Sequence, residues 1–128
     1  MPTTKLHFFE EDGNVPVYEW LVQLGRKDKK ALANCLAKVR LLAELGHELR
    51  RPHADYLRDG IYELRARRGR VQYRILYFFH GQNVALLAHA LTKEKKVPST
   101  DIERAVQRKN RYEQDPKKHR AKIALDDL

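Results

Sequence analysis

Two arginines set the chemical question. Arg65 sits in IYELRARR and Arg74 in VQYRILYFF, each inside an alternating segment. A guanidinium held on a strand can bind a phosphate bidentately and stabilise charge developing on its oxygens. Lys93, Lys95 and Lys96 close the next apolar segment, NVALLAHALTKEKKVP, which also carries His89. A lysine or histidine beside other cations gives up its proton more readily and can trade it. These residue types suit RNA cleavage, because RNA brings its own nucleophile, the 2′-hydroxyl. The protein must align that oxygen with phosphorus, remove its proton, neutralise the phosphoryl oxygens and protonate the leaving 5′-oxygen. Arg65, Arg74, Lys93 and His89 are therefore candidate catalytic residues. Arg67, Arg68, Arg70, Lys95 and Lys96 are candidate RNA-phosphate contacts, and Glu63 is a candidate orienting partner for Arg74. A plainer account stands beside this one: Arg74 paired only with Glu63, Arg65 facing water, a solvated lysine loop and a histidine used in packing.

Other chemistries lack their residues. The sequence has no glycine-rich phosphate loop, no HExxH and no nucleophile elbow. Its Asp and Glu residues are scattered along the chain, which argues against two-metal phosphoryl transfer. A single cysteine, Cys35, excludes an intramolecular disulfide and a multi-cysteine zinc site. No metal and no cofactor is expected.

The elements that must position these groups are legible in outline. At 128 residues and 42% hydrophobic, one domain with a real core is expected, residues 1–115, followed by a basic, polar tail at 116–128. Net charge is +9, and it is lopsided. Residues 1–46 hold 7 basic and 6 acidic side chains; residues 47–128 hold 19 and 11. That imbalance suits a nucleic acid or an acidic partner. No apolar run approaches the roughly 20 residues of a membrane span, and the N-terminus lacks a signal-peptide core, so no membrane partner and a cytoplasmic location are expected.

Leu6 to Phe9 reads as a strand. Pro16 opens a helix with Val17, Trp20, Leu21 and Leu24 on one stripe, and Gly25 ends it. A second helix spans Asp28 to Leu45, making a helical hairpin with the first. His47 to Asp59 reads as loop. A β-hairpin follows. With Arg68-Gly69 as its turn, Tyr62 faces Ile75, Leu64 faces Tyr73, Ala66 faces Val71 and Glu63 faces Arg74, giving an apolar face and a cation-rich face. After it, a two-residue turn at Gly81-Gln82 sets His89 opposite Arg74, whereas a three-residue turn does not. A last helix opens at Pro98-Ser99-Thr100, with Thr100 and Glu103 spaced as a capping box.

Tyr62-Glu63-Leu64-Arg65, Tyr73-Arg74-Ile75-Leu76-Tyr77, Leu87 to Glu94, and Val97-Pro98 with Ile102-Glu103-Arg104-Ala105 resemble the RelE/ParE toxin superfamily in order and spacing. The stretch Pro16 to Leu21 resembles the first helix of its HigB-like, phage-derived branch. The resemblance runs from residue 5 to about 112. It implies an α+β, RelE-like fold: an N-terminal strand and helical hairpin packed on a small, mostly antiparallel sheet, with a C-terminal helix. It implies a type II toxin–antitoxin toxin that cleaves mRNA on the ribosome without metal, with a cognate helix-turn-helix antitoxin and with operator DNA reached only through that antitoxin. By motif position, Arg65, Arg74 and the Lys93 region match the family's basic site. This sequence departs where many relatives carry a Lys-Lys pair, since Glu94 follows Lys93. The superfamily also contains gyrase poisons without RNase activity, and a non-toxic nucleic-acid-binding module is a further alternative.

Overall fold

A computed structural model describes residues 3–92 and 95–128. Among these, the chain runs β1 (Lys5–Phe8), α1 (Pro16–Lys27), α2 (Lys29–Leu45), β2 (Ala54–Arg58), β3 (Ile61–Arg68), β4 (Val71–His80), β5 (Val84–Thr92) and α3 (Ser99–Gln114). The strands form one sheet in the order β1-β5-β4-β3-β2. Only the β1–β5 pair is parallel. This is the expected α+β, RelE-like architecture.

Helices α1 and α2 meet at one residue, Asp28. Its amide donates to Leu24 O and its carboxylate accepts from the Lys30 and Ala31 amides, so it ends one helix and caps the next. Gly25 is therefore inside α1, not its end. The stripe of Val17, Leu21, Cys35, Val39 and Leu42 packs on one sheet face, against Leu64, Ala66, Ile75 and Tyr77.

The opposite face is not simply cationic, as the alternation suggested. Leu76, Phe78, Leu86 and Ala88 form a second core there, closed by Ala105 and Tyr112 of α3. Strand β4 is thus buried on both faces through its centre. Its apolar run Ile75 to Phe79 is the signature of a two-sided strand. Helix α3 begins without the expected capping box, and Pro98 stands at its N-cap with no side-chain bond.

Further differences concern the sheet and the segment after α3. The β3–β4 turn is Gly69-Arg70, with Gly69 at φ +61°, the backbone a hairpin turn needs at its first central position. The register moves by two residues: Tyr62 faces Tyr77, Leu64 faces Ile75, and Arg65 faces Arg74. An even shift keeps every side chain on its expected face. The stretch expected as loop contains β2, an edge strand. The segment expected as a tail turns back onto β1: Glu10 N–H donates to His119 O, Ala121 N–H to Phe8 O, and Ala121 is buried.

Candidate nucleic-acid cleft

Beside the N-terminal end of α3 the second face opens into a hollow of about 610 Å³. Strands β2, β3 and β4 supply Asp55, Arg65, Glu63 and Arg74, Arg51 stands at the rim, and Lys95 and Lys96 lean in from the segment before α3. Val97 and Ile102 give it an apolar wall.

Strand pairing dictates the arrangement. Arg65 and Arg74 are directly opposite, so two like charges lie side by side. Glu63, two residues from Arg65 on the same strand face, answers both. Its Oε1 accepts from Arg65 Nε and its Oε2 from Arg74 Nη1, each at 2.7 Å. The Glu63 side chain is 3% exposed and that of Arg74 9%, so this is a buried ion pair. Arg74 Nη2 also donates to Gln72 Oε1 at 2.8 Å and to the Lys95 carbonyl at 3.3 Å. Arg65 reaches Asp55 at 3.4 Å, and Asp55 in turn accepts from Arg51 at 2.7 Å. The Arg51 hydrogen bond is the main reason the Asp55 carboxyl titrates below its ordinary value. Three guanidiniums thus alternate with two carboxylates, and the ladder keeps one net positive charge before the lysines are added.

Expectation and placement differ residue by residue. Arg65, Arg74 and Glu63 come together, as do Lys95 and Lys96, which are exposed at the lip. Arg65 remains about a third exposed and can reach a ligand. Arg67 lines a neighbouring groove with Lys38, and Arg70 is exposed at the hairpin tip. Arg68 instead binds Asp28, at 3.3 Å, and staples the hairpin tip to the α1–α2 elbow. Lys93 lies outside the described residues.

His89 is not brought to the cleft. The β4–β5 turn has three residues, and a bulge between Leu76 and Tyr77 sets His89 opposite Leu76. The bulge puts Ala88 and His89 on the same side, beneath α3. There Nε2 lies 2.7 Å from Asp101 Oδ1 and Nδ1 lies 3.3 Å from Arg108 Nη1. Burial holds the imidazole below its ordinary pKa, helped by Arg108 and opposed by the Asp101 hydrogen bond. A neutral ring fits both contacts: Nε2–H donates to Asp101 while Nδ1 accepts from Arg108. The residue anchors α3.

A family model, phage-derived protein Gp49-like (DUF891), matches residues 19–110. The chain belongs to this family. It is a family of RelE/toxin-type fold, associated with toxin–antitoxin toxins, and so implies an antitoxin partner. No curated protein matches the chain.

In this Gp49-like chain the matched stretch includes the whole arginine–carboxylate ladder. Sequence reasoning gives no role to Asp55 and Arg51, because residues 47–59 read as loop, nor to Gln72, which lies on β4. Ala54–Arg58 carries no polar–apolar alternation to mark it as a strand, and its register slips between Tyr56 and Arg58. Among the described residues, no three His, Cys, Asp or Glu side chains gather as metal ligands, and no helix is long and apolar enough to cross a membrane.

Proposed function

We propose that this protein is the toxin of a type II toxin–antitoxin pair and a ribosome-dependent mRNA endoribonuclease that needs no metal. The observation that carries the reading is the cleft in which buried Glu63 fixes Arg65 and Arg74 at 2.7 Å each, with Lys95 and Lys96 at its mouth. A guanidinium held by a buried carboxylate is preorganised, so it stabilises phosphoryl charge without reorganising during reaction. Arg65, the more exposed of the two, contacts the scissile phosphate. Arg74 supports it from below through Glu63 and adds positive potential. The 2′-oxygen attacks phosphorus, the bond to the 5′-oxygen breaks, and one proton leaves the 2′-hydroxyl while another reaches the 5′-oxygen. Lys93 is the proposed proton-transfer residue, beside Lys95 and Lys96 on the same segment. The antitoxin is a helix-turn-helix protein that covers this basic mouth, and operator DNA is bound through it.

A gyrase-binding toxin of the same fold is the rival reading. It draws support from one observation: His89, the histidine expected to trade protons, is committed to Asp101 and Arg108. Induction of the chain alone in a bacterial host, followed by primer extension on cellular mRNA, separates the two. Cleaved messages in the parent and intact messages with Arg65→Ala are expected. Gyrase inhibition and a DNA-damage response with mRNA intact overturn the nuclease.

A further inference from the structure

The groove beside the cleft gathers cations that no acid answers. It is a hollow of about 530 Å³, lined by Asn34 and Lys38 of α2 and by Arg65, Arg67 and Gln72 of the β3–β4 hairpin. Strand β2 begins only at Ala54, opposite Leu64, so beyond Arg65 the outer edge of β3 has no neighbouring strand. The groove follows that open edge. Lys38 comes to it from the helical side of the sheet and Arg65 and Arg67 from the cleft side, and all three line one hollow because no strand stands between them. Arg65 and Gln72 line the cleft as well, so the two hollows adjoin. Their charges differ. In the cleft Arg65 is answered by Glu63 and Asp55. Among the described residues, no carboxylate lines the groove, and neither Lys38 nor Arg67 has an ion-pair partner. Lys38 Nζ lies 2.6 Å from His53 Nδ1, an acceptor that brings no negative charge. The backbone adds a donor. Arg65 N–H donates to His53 O at 2.8 Å, so the amide and carbonyl of Arg67, two residues on, point to the same open edge. Asn34 Nδ2 occupies the Arg67 carbonyl at 2.8 Å, which leaves the N–H. A peptide strand adding to this edge needs both a donor and an acceptor, whereas a phosphate needs donors alone.

We infer that the groove is a second phosphate subsite: Lys38, the Arg67 guanidinium and the Arg67 amide bind the phosphodiester next to the one held at Arg65. The inference rests on the reading of the cleft as an RNA-phosphate site, and it adds the course of the strand. The backbone passes from the cleft over Arg65 and along the β3 edge toward α2. Arg68 takes no part, because Asp28 holds it. A second anchored phosphate fixes the register of the strand in the cleft, and so helps align the 2′-oxygen with phosphorus.

The test is binding of a short, uncleavable 2′-O-methyl RNA, followed by anisotropy as salt is varied. The full chain is compared with Lys38→Met, Arg67→Met, the two together, and Lys38→Arg, each checked for native circular dichroism. Arg40→Met, an exposed cation of the same helix outside the groove, controls for loss of charge alone. Lys38→Met and Arg67→Met are each expected to weaken binding about three- to fivefold, the loss of one exposed charge contact. The double variant should lower the salt slope by about 0.7, the share of one single-strand phosphate. Lys38→Arg and Arg40→Met should bind as the parent does. Replacing one phosphate at a time by a neutral methylphosphonate then locates the contact: at one linkage, and only there, the Lys38→Met penalty should vanish. Parent-like binding by the double variant, a Lys38→Met penalty that persists at every linkage, equal weakening by Arg40→Met, or no binding by the parent each overturns the inference. Poly-glutamate competing as well as RNA at equal charge assigns the groove to an acidic protein and overturns it too. The readouts need no catalysis. Lys38-dependent binding with cellular mRNA intact leaves the subsite and removes the nuclease; cleaved mRNA with binding indifferent to Lys38 does the reverse.

Discussion

Replacing Glu63 by Gln is the most revealing single perturbation, because it keeps the shape of the side chain and removes only its charge. Glu63 accepts two bonds of 2.7 Å, one from Arg65 and one from Arg74. A glutamine has one acceptor oxygen, so one guanidinium must face an amide N–H₂ instead. A hydrogen bond to a charged group contributes about 1.5–3 kcal/mol, and breaking a buried ion pair from one side costs about 3–5 kcal/mol. Arg65 is a third exposed and can turn to water or to Asp55, so its share is discounted; Arg74, 9% exposed, has no such recourse. The expected loss is therefore about 3 kcal/mol. For a urea slope near 2 kcal/mol/M, the unfolding midpoint should fall by about 1.5 M. Removing both members of the buried pair, as Glu63→Leu with Arg74→Met, should recover most of that loss, since it leaves no buried charge without a partner. If Glu63→Gln unfolds within about 0.5 kcal/mol of the parent, the carboxylate does not hold the arginines. The preorganisation argument for the cleft then fails with it.

Burial pushes the Cys35 thiol up to about 12, so a thiol reagent at pH 8 should label the protein only after denaturant is added; rapid native labelling would place Cys35 at the surface. Burial holds the His89 imidazole below 6.5, so the unfolded chain takes up a proton that the folded chain resists. That contribution to stability is complete above about pH 6.5 and declines as pH falls below it. Urea midpoints from pH 7.5 to 5.5 should show this slope. His89→Gln should flatten it only in part, because burial, Arg120 and Lys5 hold His7 below its ordinary value as well. Deleting residues 117–128 should destabilise the fold by at least about 2 kcal/mol, since it uncovers Phe8 and Phe9 and strips the Ala121–Phe8 and Glu10–His119 backbone bonds from β1. An unchanged melting curve would show that the segment contributes nothing.

The chain's own pattern determined the helices, four of the five strands in the described residues and the faces their side chains occupy. The Val17–Leu24 and Leu32–Leu42 stripes mark α1 and α2, and alternation from Tyr62 to Tyr77 puts Glu63, Arg65 and Arg74 on one side of the sheet. These are local periodicities, and two-residue errors in register leave them intact. Tertiary structure decided what that side of the sheet meets. Alternation cannot say that α3 returns to bury Leu76 and Phe78 while leaving the Arg65 end open, because the contact joins residues far apart in sequence. It cannot say that a bulge turns His89 under Asp101, since one extra residue in a strand has no compositional mark. Strand β2 was hidden for a related reason. An edge strand has one neighbour and little burial, so Asp55 and Tyr56 look like loop residues until Glu63 and Tyr62 are seen paired beside them. The arginines were visible in the sequence; that a single buried carboxylate holds both of them was settled only by the cross-strand register.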